Sequence, residues 1–340
     1  MSRLTIEGTD LRNAERFVEL HGADVRHVAK WSRWLVYDGR RWRLDETDAA
    51  LRLAADTART MASDARGAVT AAMAELEQVG RDDDKAKRRA EKRHRSAEDG
   101  WKWALKSQAA PRLHAMVDLA RADEAVAVTH DRLDADPWLL NVANGTLDLR
   151  SGKLRAHSRD DLITKLSPVA YDPRAKCPAW DAFLGRAMGA NAGMIAFLRR
   201  MAGYALTGVI REHVLGFLFG GGANGKSTYI ATTRAMMGDY AVTAPRGLLF
   251  RSRGERHPTE LTVLFGARFV ACAEIEEGRA FDEGLVKDLT GGDEISARRM
   301  SEDFWSFAPH TSSSSRATIG RAFAATMRGS GGAYGSSRGP

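Results

Sequence analysis

The chain has 340 residues, enough for two domains at roughly 100–200 residues each. Its composition, 44% hydrophobic and 28% charged, is that of an ordinary globular protein. Cys177 and Cys272 lie far apart and match no metal-ligand spacing, so both are expected to be reduced thiols. No apolar run approaches the ~20 residues that cross a bilayer, and the N-terminus lacks a signal-peptide core. We therefore expect a cytoplasmic protein without a membrane partner, and a net charge of +7 fits a partner made of phosphates.

The first 45 residues predict a helix over residues 13–20 and then a β-hairpin with its turn at Asp38-Gly39. Four aromatic residues surround this hairpin: Trp31, Trp34, Tyr37 and Trp42. Exposed rings could stack on nucleic-acid bases. The pattern favours a small core built around them, since large aromatic side chains are mostly buried.

Residues 49–79 are rich in alanine and predict a helix. The following segment, 81–95, mixes charges of both signs and has almost no apolar residue. As a helix it is polar on every side, which favours a solvated or bridging element, with contact to DNA phosphates as the alternative. A third helix is predicted near residues 111–122.

The two prolines Pro173 and Pro178 mark the predicted boundary between domains. The predicted organisation is an N-terminal region over residues 1–175, an α/β core over 176–309, and a tail over 310–340. Within the core, residues 180–206 have helical periodicity, and residues 214–219 form a short apolar run typical of a buried strand.

A glycine-rich loop, GGGANGKST, follows this strand and precedes a predicted helix over residues 229–237. It satisfies G-x-x-x-x-G-K-[ST] in the strand–loop–helix context of a P-loop. Glycines let backbone N–H groups point at phosphate oxygens, and the helix N-terminus adds the positive end of its dipole. In such loops the lysine reaches the β- and γ-phosphates and the hydroxyl binds Mg²⁺, which are the roles predicted for Lys226 and Ser227. The predicted nucleotide-binding residues are Gly220, Gly221, Gly222, Ala223, Asn224, Gly225, Lys226, Ser227 and Thr228.

A P-loop enzyme also needs a carboxylate at the end of a neighbouring strand to hold Mg²⁺ and orient water. The segment 267–278, ARFVACAEIEEG, supplies an apolar strand followed by acids. Glu274 is the predicted metal-side catalytic acid, with Glu276 as the second candidate. A strand followed by a solvated acidic loop is the alternative.

The segment 287–298, KDLTGGDEISAR, predicts a hairpin turning at Gly291-Gly292-Asp293. Lys287, Arg298 and Arg299 lie near its base and are the predicted DNA-binding residues, since a basic hairpin can follow a single-stranded phosphate backbone. A plain surface hairpin fits the residues equally well.

The order of GGGANGKST, HPTEL (residues 257–261), FVACAEIEEG and KDLTGGDEISAR resembles the superfamily 3 helicase domain of phage and plasmid primase–helicases. Upstream, LLNVANGTLDLRSGKLRAH and SPVAYDPRAKCPAWDAFL are similar to the region that precedes the helicase in that family. The likeness covers about residues 9–309.

The resemblance implies an AAA+-like α/β P-loop core preceded by a mainly helical region. It further implies a homo-hexameric ring that hydrolyses ATP with Mg²⁺ between subunits and moves on single-stranded or forked DNA. Lys287 and Arg298 fall in the segment that such helicases direct at DNA. We expect no primer synthesis, because the likeness begins at the helicase-associated region.

The tail over residues 310–340 has no acidic residue and no Lys and is crowded with Ser, Gly, Ala and Arg, which predicts disorder. The family would continue here with a strand ending in a sensor Asn and then an Arg that completes a neighbour's site. A reading-frame shift near His310 is our hypothesis, since back-translation in another frame yields an apolar run, Asn-His and Trp-Arg-Arg. A natural flexible tail is the alternative.

The sequence thus predicts an ATP-dependent DNA helicase of phage or plasmid replication, inactivated at its C-terminal motifs. The alternative is a nucleotide- and DNA-binding remnant with little or no ATP turnover. A small-molecule P-loop kinase is disfavoured because no acceptor or lid segment is apparent.

Overall fold

The computed structural model describes residues 8–79, 83–212, 215–218, 224–245, 247–251, 258–275, 280–291, 293–298, 304–307 and 322–327. It is a mixed α/β structure with a helical N-terminal region and several small sheets. The chain forms two compact units. Unit 1 comprises residues 1–38 and 43–130, and unit 2 comprises residues 39–42 and 131–340.

Helices dominate unit 1, with a small sheet of order β1-β2-β3. Its elements are α1 (Asp10–His21), β1 (Val25–Val28), β2 (Arg33–Tyr37), β3 (Trp42–Leu44, whose Trp42 belongs to unit 2), α2 (Ala49–Gln78), α3 (Asp84–Lys106) and α4 (Ala110–Ala120). The helices predicted over residues 13–20, 49–79 and 111–122 are therefore confirmed, with shifted ends, and the described part of the polar segment 81–95 lies in α3.

Helix α1 is held by a polar cap at one end and an apolar face along its length. The Thr9 side chain accepts a hydrogen bond from the Arg12 N–H at 3.2 Å, which satisfies one of the free donors of the first turn. Phe17 is fully buried in a cluster with residues of β1, α2 and α4. Asn13 joins α1 to α3, because its amide donates to Ser107 Oγ and its carbonyl accepts from Trp103 Nε1.

The aromatic residues of the first hairpin form core. Trp31 and Trp42 are buried, and Trp34 packs half-buried against the Phe17 cluster. The hairpin turns at Asp38-Gly39, where Gly39 has the positive φ of +93° that such turns require. The favoured interpretation, a small core rather than a base-stacking surface, is confirmed for Trp31 and Trp42.

Unit 2 combines a small antiparallel sheet with a parallel one. Its elements are β4 (Leu139–Val142), β5 (Gly145–Asp148), β6 (Lys153–Arg155), α5 (Pro178–Ala187), α6 (Ala192–Leu206), β7 (Leu215–Leu218), α7 (Lys226–Met237), β8 (Ala241–Thr243), β9 (Phe269–Ile275), α8 (Glu283–Gly291), β10 (Ile295–Ala297), β11 (Trp305–Phe307) and β12 (Ala322–Met327). Strands β4, β5 and β6 form an antiparallel sheet in chain order.

The larger sheet has the order β7-β12-β9-β8, and each pair of neighbours is parallel. Helix α7 packs on this sheet, against β8, β9 and β12. The prediction of a core of mostly parallel strands is confirmed, with one strand inside the segment 214–219 and one inside the segment 267–278.

The prediction of disorder is wrong for six residues of the tail. Ala322–Met327 form β12, which lies between β7 and β9 in the parallel sheet. The stretch AFAATM is apolar apart from one threonine, and a central parallel strand is apolar on both faces. A short apolar run inside a Ser/Gly-rich tail is therefore sufficient for a strand. The rest of residues 310–340 lies outside the described residues.

The units divide at a different place from the boundary expected near residue 175. Leu140 of β4 and Leu147 of β5 share one buried cluster with Met237, Tyr240 and Phe269 of the parallel-sheet region. Residues 131–175 therefore pack with the segment that follows them, and the prolines at 173 and 178 mark a connection within unit 2.

Arg268 connects several elements around this cluster. Its guanidinium donates to the backbone oxygens of Leu206 and Leu139, both at 2.7 Å, and lies 4.5 Å from the centre of the Tyr240 ring. Burial lowers the pKa of Arg268, and the neighbouring Tyr240 opposes that shift. Burial in turn raises the pKa of Tyr240 to about 12. The Tyr240 hydroxyl accepts a hydrogen bond from the Asn141 N–H at 2.9 Å, which links the ring to β4.

Candidate nucleotide-binding site

The glycine-rich segment lies between β7 and α7. Strand β7 ends at Leu218 and helix α7 begins at Lys226, three residues before the predicted helix start. Ser227 and Thr228 therefore lie in the first turn of α7, and both are exposed. Four of the predicted phosphate-binding residues lie outside the described residues: Gly220, Gly221, Gly222 and Ala223.

Gly225 caps α7 in a conformation that suits glycine. Its φ is +85° and its ψ is 0°, in the left-handed region that other residues enter at a cost. A Cβ atom added there would meet Phe183 Cε2 at 2.9 Å. Both the dihedral angle and the neighbouring ring therefore explain why the last glycine of the loop is a glycine.

Lys226 is half-buried, and its ammonium donates a hydrogen bond to Asn224 Oδ1 at 2.7 Å. The lysine side chain is thus turned back towards the residue two positions before it. The first N–H groups of a helix have no partner within the helix and carry the positive end of its dipole. This end of α7 therefore combines backbone donors, an ammonium group and two hydroxyls, a set that suits a phosphorylated anion.

The start of α7 rests on a stacked aromatic group. Trp180 of α5 stacks on Phe183 at 5.1 Å and on Tyr229 at 5.8 Å between ring centres. The Tyr229 hydroxyl donates to the backbone oxygen of Leu198 at 3.3 Å, and burial raises the pKa of Tyr229. The rings fix the helix start against α5 and α6, so this end of α7 is supported by a packed surface.

Glu274 is the next-to-last residue of β9, at the same edge of the sheet as the glycine-rich loop. In the register, Leu218 of β7 lies beside Thr326 of β12, and Met327 of β12 lies beside Ile275 of β9. Two strand spacings separate β7 from β9, which is roughly 10 Å. The backbone therefore brings Glu274 to the carboxyl edge where α7 begins, while Glu276 lies outside the described residues.

No cluster of three or more His, Cys, Asp or Glu that could hold a metal ion occurs among the described residues. Burial raises the pKa of the Cys272 thiol, two residues before Glu274, to about 12.

The predicted hairpin over residues 287–298 is wrong. Lys287 lies exposed on helix α8, and Arg298 directly follows β10, which pairs antiparallel with β11. The apolar residues of this segment recur at helical spacing, and the Thr290 hydroxyl donates to the backbone oxygen of Val286, so the helix continues up to Gly291. The Arg298 guanidinium lies 4.7 Å from the centre of the Phe304 ring. Lys287 and Arg298 are therefore on different elements, and Arg299 lies outside the described residues.

Two residues that shape this region were missed in the sequence. Phe183 controls the space beside Gly225, and Arg268 anchors the start of β9. A helical aromatic and an arginine before a strand carry no motif, so only the packing shows their roles.

Across the parts of the chain that the structure describes, no helix is both long and apolar enough to cross a membrane.

Comparison with known proteins identifies the family of this chain. The family model described as "D5 N terminal like" matches residues 14–189, more than half of the chain. A protein of Acanthamoeba polyphaga mimivirus, provisionally named a helicase, is 29% identical over 186 residues. That match covers 52% of this chain but only 19% of the viral protein. The A-form apo structure of the NrS-1 C-terminal region is similar with a TM-score of 0.43 and 10% identity, over 92% of this chain and 55% of that one.

Proposed function

Since the chain belongs to the D5 N-terminal-like family, we propose that it is a replication protein of the phage or viral primase–helicase type. In this proposal unit 2 carries a superfamily 3 P-loop core that binds ATP with Mg²⁺. Nucleotide binding would drive the intact assembly, a homo-hexamer, along single-stranded or forked DNA.

One observation carries the proposal. Helix α7 begins at Lys226 and is the next element after the parallel strand β7, and Glu274 is the next-to-last residue of β9, two places along the same sheet. In open α/β sheets, ligands bind at the carboxyl edge of the strands. A helix N-terminus, a lysine and a carboxylate at that edge are the parts that hold a nucleotide triphosphate and its metal.

The residues would divide the work as follows. The backbone N–H groups of the loop and of the first turn of α7 would bind phosphate oxygens, and Lys226 would neutralise the β- and γ-phosphates. Ser227 would ligate Mg²⁺, and Glu274 would hold the ion and orient water. The metal would supply charge neutralisation on the transferring phosphoryl group.

A titration with a fluorescent ATP analogue in the presence of Mg²⁺ tests the nucleotide site. We expect Lys226→Ala to weaken binding at least about tenfold, equivalent to about 1.4 kcal/mol, and Ser227→Ala to remove the dependence on Mg²⁺. Lys176→Ala is the matched control, because Lys176 is an exposed lysine in a loop of the same unit. Equal affinities for the Lys226 and Lys176 variants would contradict the proposal.

A second function is binding with little turnover, and the composition of the tail favours it. Residues 310–340 contain no Asn, so β12, the strand between β7 and β9, ends without the sensor Asn that the helicase resemblance implies. An Arg supplied by a neighbouring subunit is worth about 10³–10⁵ in rate in related enzymes. Phosphate release, measured with and without DNA on the sample that binds nucleotide, separates the two functions. DNA-stimulated turnover at the rate of an intact ring helicase would exclude the binding-only function.

A further inference from the structure

Helix α3 has a packed face along its length and a basic face over its N-terminal half. Ala90 and Ala104 are buried, and Ala104 packs with Met61 and Ala65 of α2. On the opposite side of the helix, exposed cations recur every three or four residues: Lys85, Arg88, Lys92 and Arg95. We call these four residues the basic stripe.

The charge of the protein is concentrated here. Residues 84–95 contain seven Lys or Arg and two acidic residues, a net charge of +5 with His94 neutral. The whole chain of 340 residues has a net charge of +7. One segment of 12 residues therefore carries most of the excess positive charge of the protein.

The basic stripe is not neutralised by its surroundings. Arg93, on the side of α3 that faces α2, pairs with Glu75 at 2.6 Å. The side chains of the four residues of the stripe form neither a hydrogen bond nor an ion pair within the part of the chain that the structure describes. Asp84 and Glu91 lie on the same helix, yet neither forms an ion pair with the stripe.

This arrangement opposes the stability of the helix itself. Lys85 lies in the first turn, where the positive end of the helix dipole disfavours cations. Like charges three or four residues apart, such as Arg88 with Lys92, repel each other by a few tenths of a kcal/mol per pair. Among the described residues, two acids compensate at the N-terminus: Asp83, which caps the helix by accepting from the Ala86 N–H at 2.8 Å, and Asp84. A solvated helix gains nothing from such a stripe.

We propose that the basic stripe of α3 is a docking surface for the phosphate backbone of nucleic acid. The inference adds a contact surface in unit 1 and makes no use of the nucleotide site in unit 2. From Lys85 to Arg95 the stripe spans about 15 Å at 1.5 Å per residue. That length corresponds to about four nucleotides of one strand at 3.4 Å each, one phosphate for each cation. Point charges on a helix surface follow the backbone and make no distinction between base sequences.

Fluorescence anisotropy on the full chain tests the stripe, with labelled mixed-sequence DNA of roughly 30 nucleotides as duplex and as single strand. In the first variant, all four residues are changed to Gln (Lys85→Gln, Arg88→Gln, Lys92→Gln, Arg95→Gln), which retains good helix propensity. In the second, the charges are kept and the side chains exchanged: Lys85→Arg, Arg88→Lys, Lys92→Arg and Arg95→Lys. The third removes four exposed cations elsewhere: Lys30→Gln, Lys153→Gln, Lys176→Gln and Arg186→Gln. Circular dichroism verifies that each variant is folded.

The salt dependence is the decisive quantity. Each phosphate contact contributes about 0.9 to the slope of log affinity against log salt on duplex and about 0.7 on a single strand. We expect the Gln variant to lose about 3 to 4 units of slope on duplex DNA, or about 3 units on single-stranded DNA. The form of DNA on which the loss is larger is the form that docks on the stripe. The charge-conserving variant should bind as the unchanged chain does, and the dispersed variant should lose little slope.

The stripe is refuted if the Gln variant and the dispersed variant lose equal slope, because the effect would then be one of net charge. Binding to vesicles with anionic lipid but not to DNA would also overturn the proposal. Nucleotide affinity is measured on the same samples: the Gln variant should retain it, and Lys226→Ala should retain DNA binding. A failure of the stripe and a failure of the nucleotide site are therefore read separately.

Discussion

Replacing Gly225 by Ala perturbs the candidate site at its most constrained backbone position. With φ at +85°, a residue that has a Cβ is strained by about 1–2 kcal/mol. The new Cβ would lie 2.9 Å from Phe183 Cε2 and 3.1 Å from Cζ. Phe183 is stacked on Trp180, so relief requires the aromatic group to move, which in packed cores costs about 1–3 kcal/mol. We expect a total loss of about 2–5 kcal/mol in the free energy of unfolding of unit 2.

Urea unfolding and nucleotide titration on the same variant measure this effect. Gly203→Ala is the matched control: Gly203 lies in α6, has a negative φ and would have nothing within 4 Å of its new Cβ. That variant should gain about 0.5–1 kcal/mol from helix propensity alone. Adding Phe183→Leu to the Gly225→Ala variant should recover the part of the lost stability that comes from overlap with the ring. The part that comes from the strained dihedral angle should remain. If Gly225→Ala and Gly203→Ala shift the urea midpoint in the same direction, the reasoning about Gly225 is refuted.

Three further predictions concern stability. Arg268→Met should lower the free energy of unfolding, measured in urea, by about 2–5 kcal/mol, because two buried carbonyl oxygens lose a charged donor. Arg268→Lys should have a stability between those of Arg268→Met and the unchanged chain. An unchanged urea midpoint would contradict the anchoring role of Arg268. Burial lowers the pKa of His27 in the folded chain, so as the pH falls below the ordinary value of 6.5 the unfolded chain binds the proton first and the free energy of unfolding decreases. The variant His27→Phe keeps a ring against Trp34 and should lose less melting temperature between pH 7 and 5.5 than the unchanged chain. Equal pH profiles of the two proteins would refute this prediction. A fragment of residues 131–340 should unfold cooperatively, whereas a fragment of residues 176–340 should not, because it lacks β4 and β5, which contribute to the buried cluster of unit 2. Cooperative melting of the shorter fragment would contradict this prediction.

The parts of the fold that could be predicted were those with a local signal. The strand before the glycine-rich loop, the helix after it and the strand of Phe269–Ile275 were placed from apolar runs and from the motif spacing. The capping glycine, Gly225, follows from the motif as well, because the turn requires a positive φ there.

The incorrect predictions have one physical cause: they were made from local sequence signals for features that tertiary packing determines. Gly291-Gly292-Asp293 carries a turn signal, yet the apolar spacing of the preceding residues continues a helix up to Gly291. The stretch AFAATM is a short apolar run inside a Ser- and Gly-rich tail, and parallel partners on both sides supply its backbone hydrogen bonds. The prolines at 173 and 178 suggested a domain boundary where the chain only changes direction within unit 2.

The segment that the family model matches reaches the candidate site through Arg268. Arg268 directly precedes β9, the strand that carries Glu274, and it holds the backbone oxygen of Leu139 in β4, a strand inside the matched range. Its second bond, to the Leu206 oxygen, fixes the end of α6, and the Tyr240 ring covers its guanidinium face. Displacing β9 along its axis would pull this buried cation away from two carbonyl groups, so the position of Glu274 along the sheet is tied to β4. Within unit 2, the family segment therefore sets where the carboxyl edge of the sheet presents its acid.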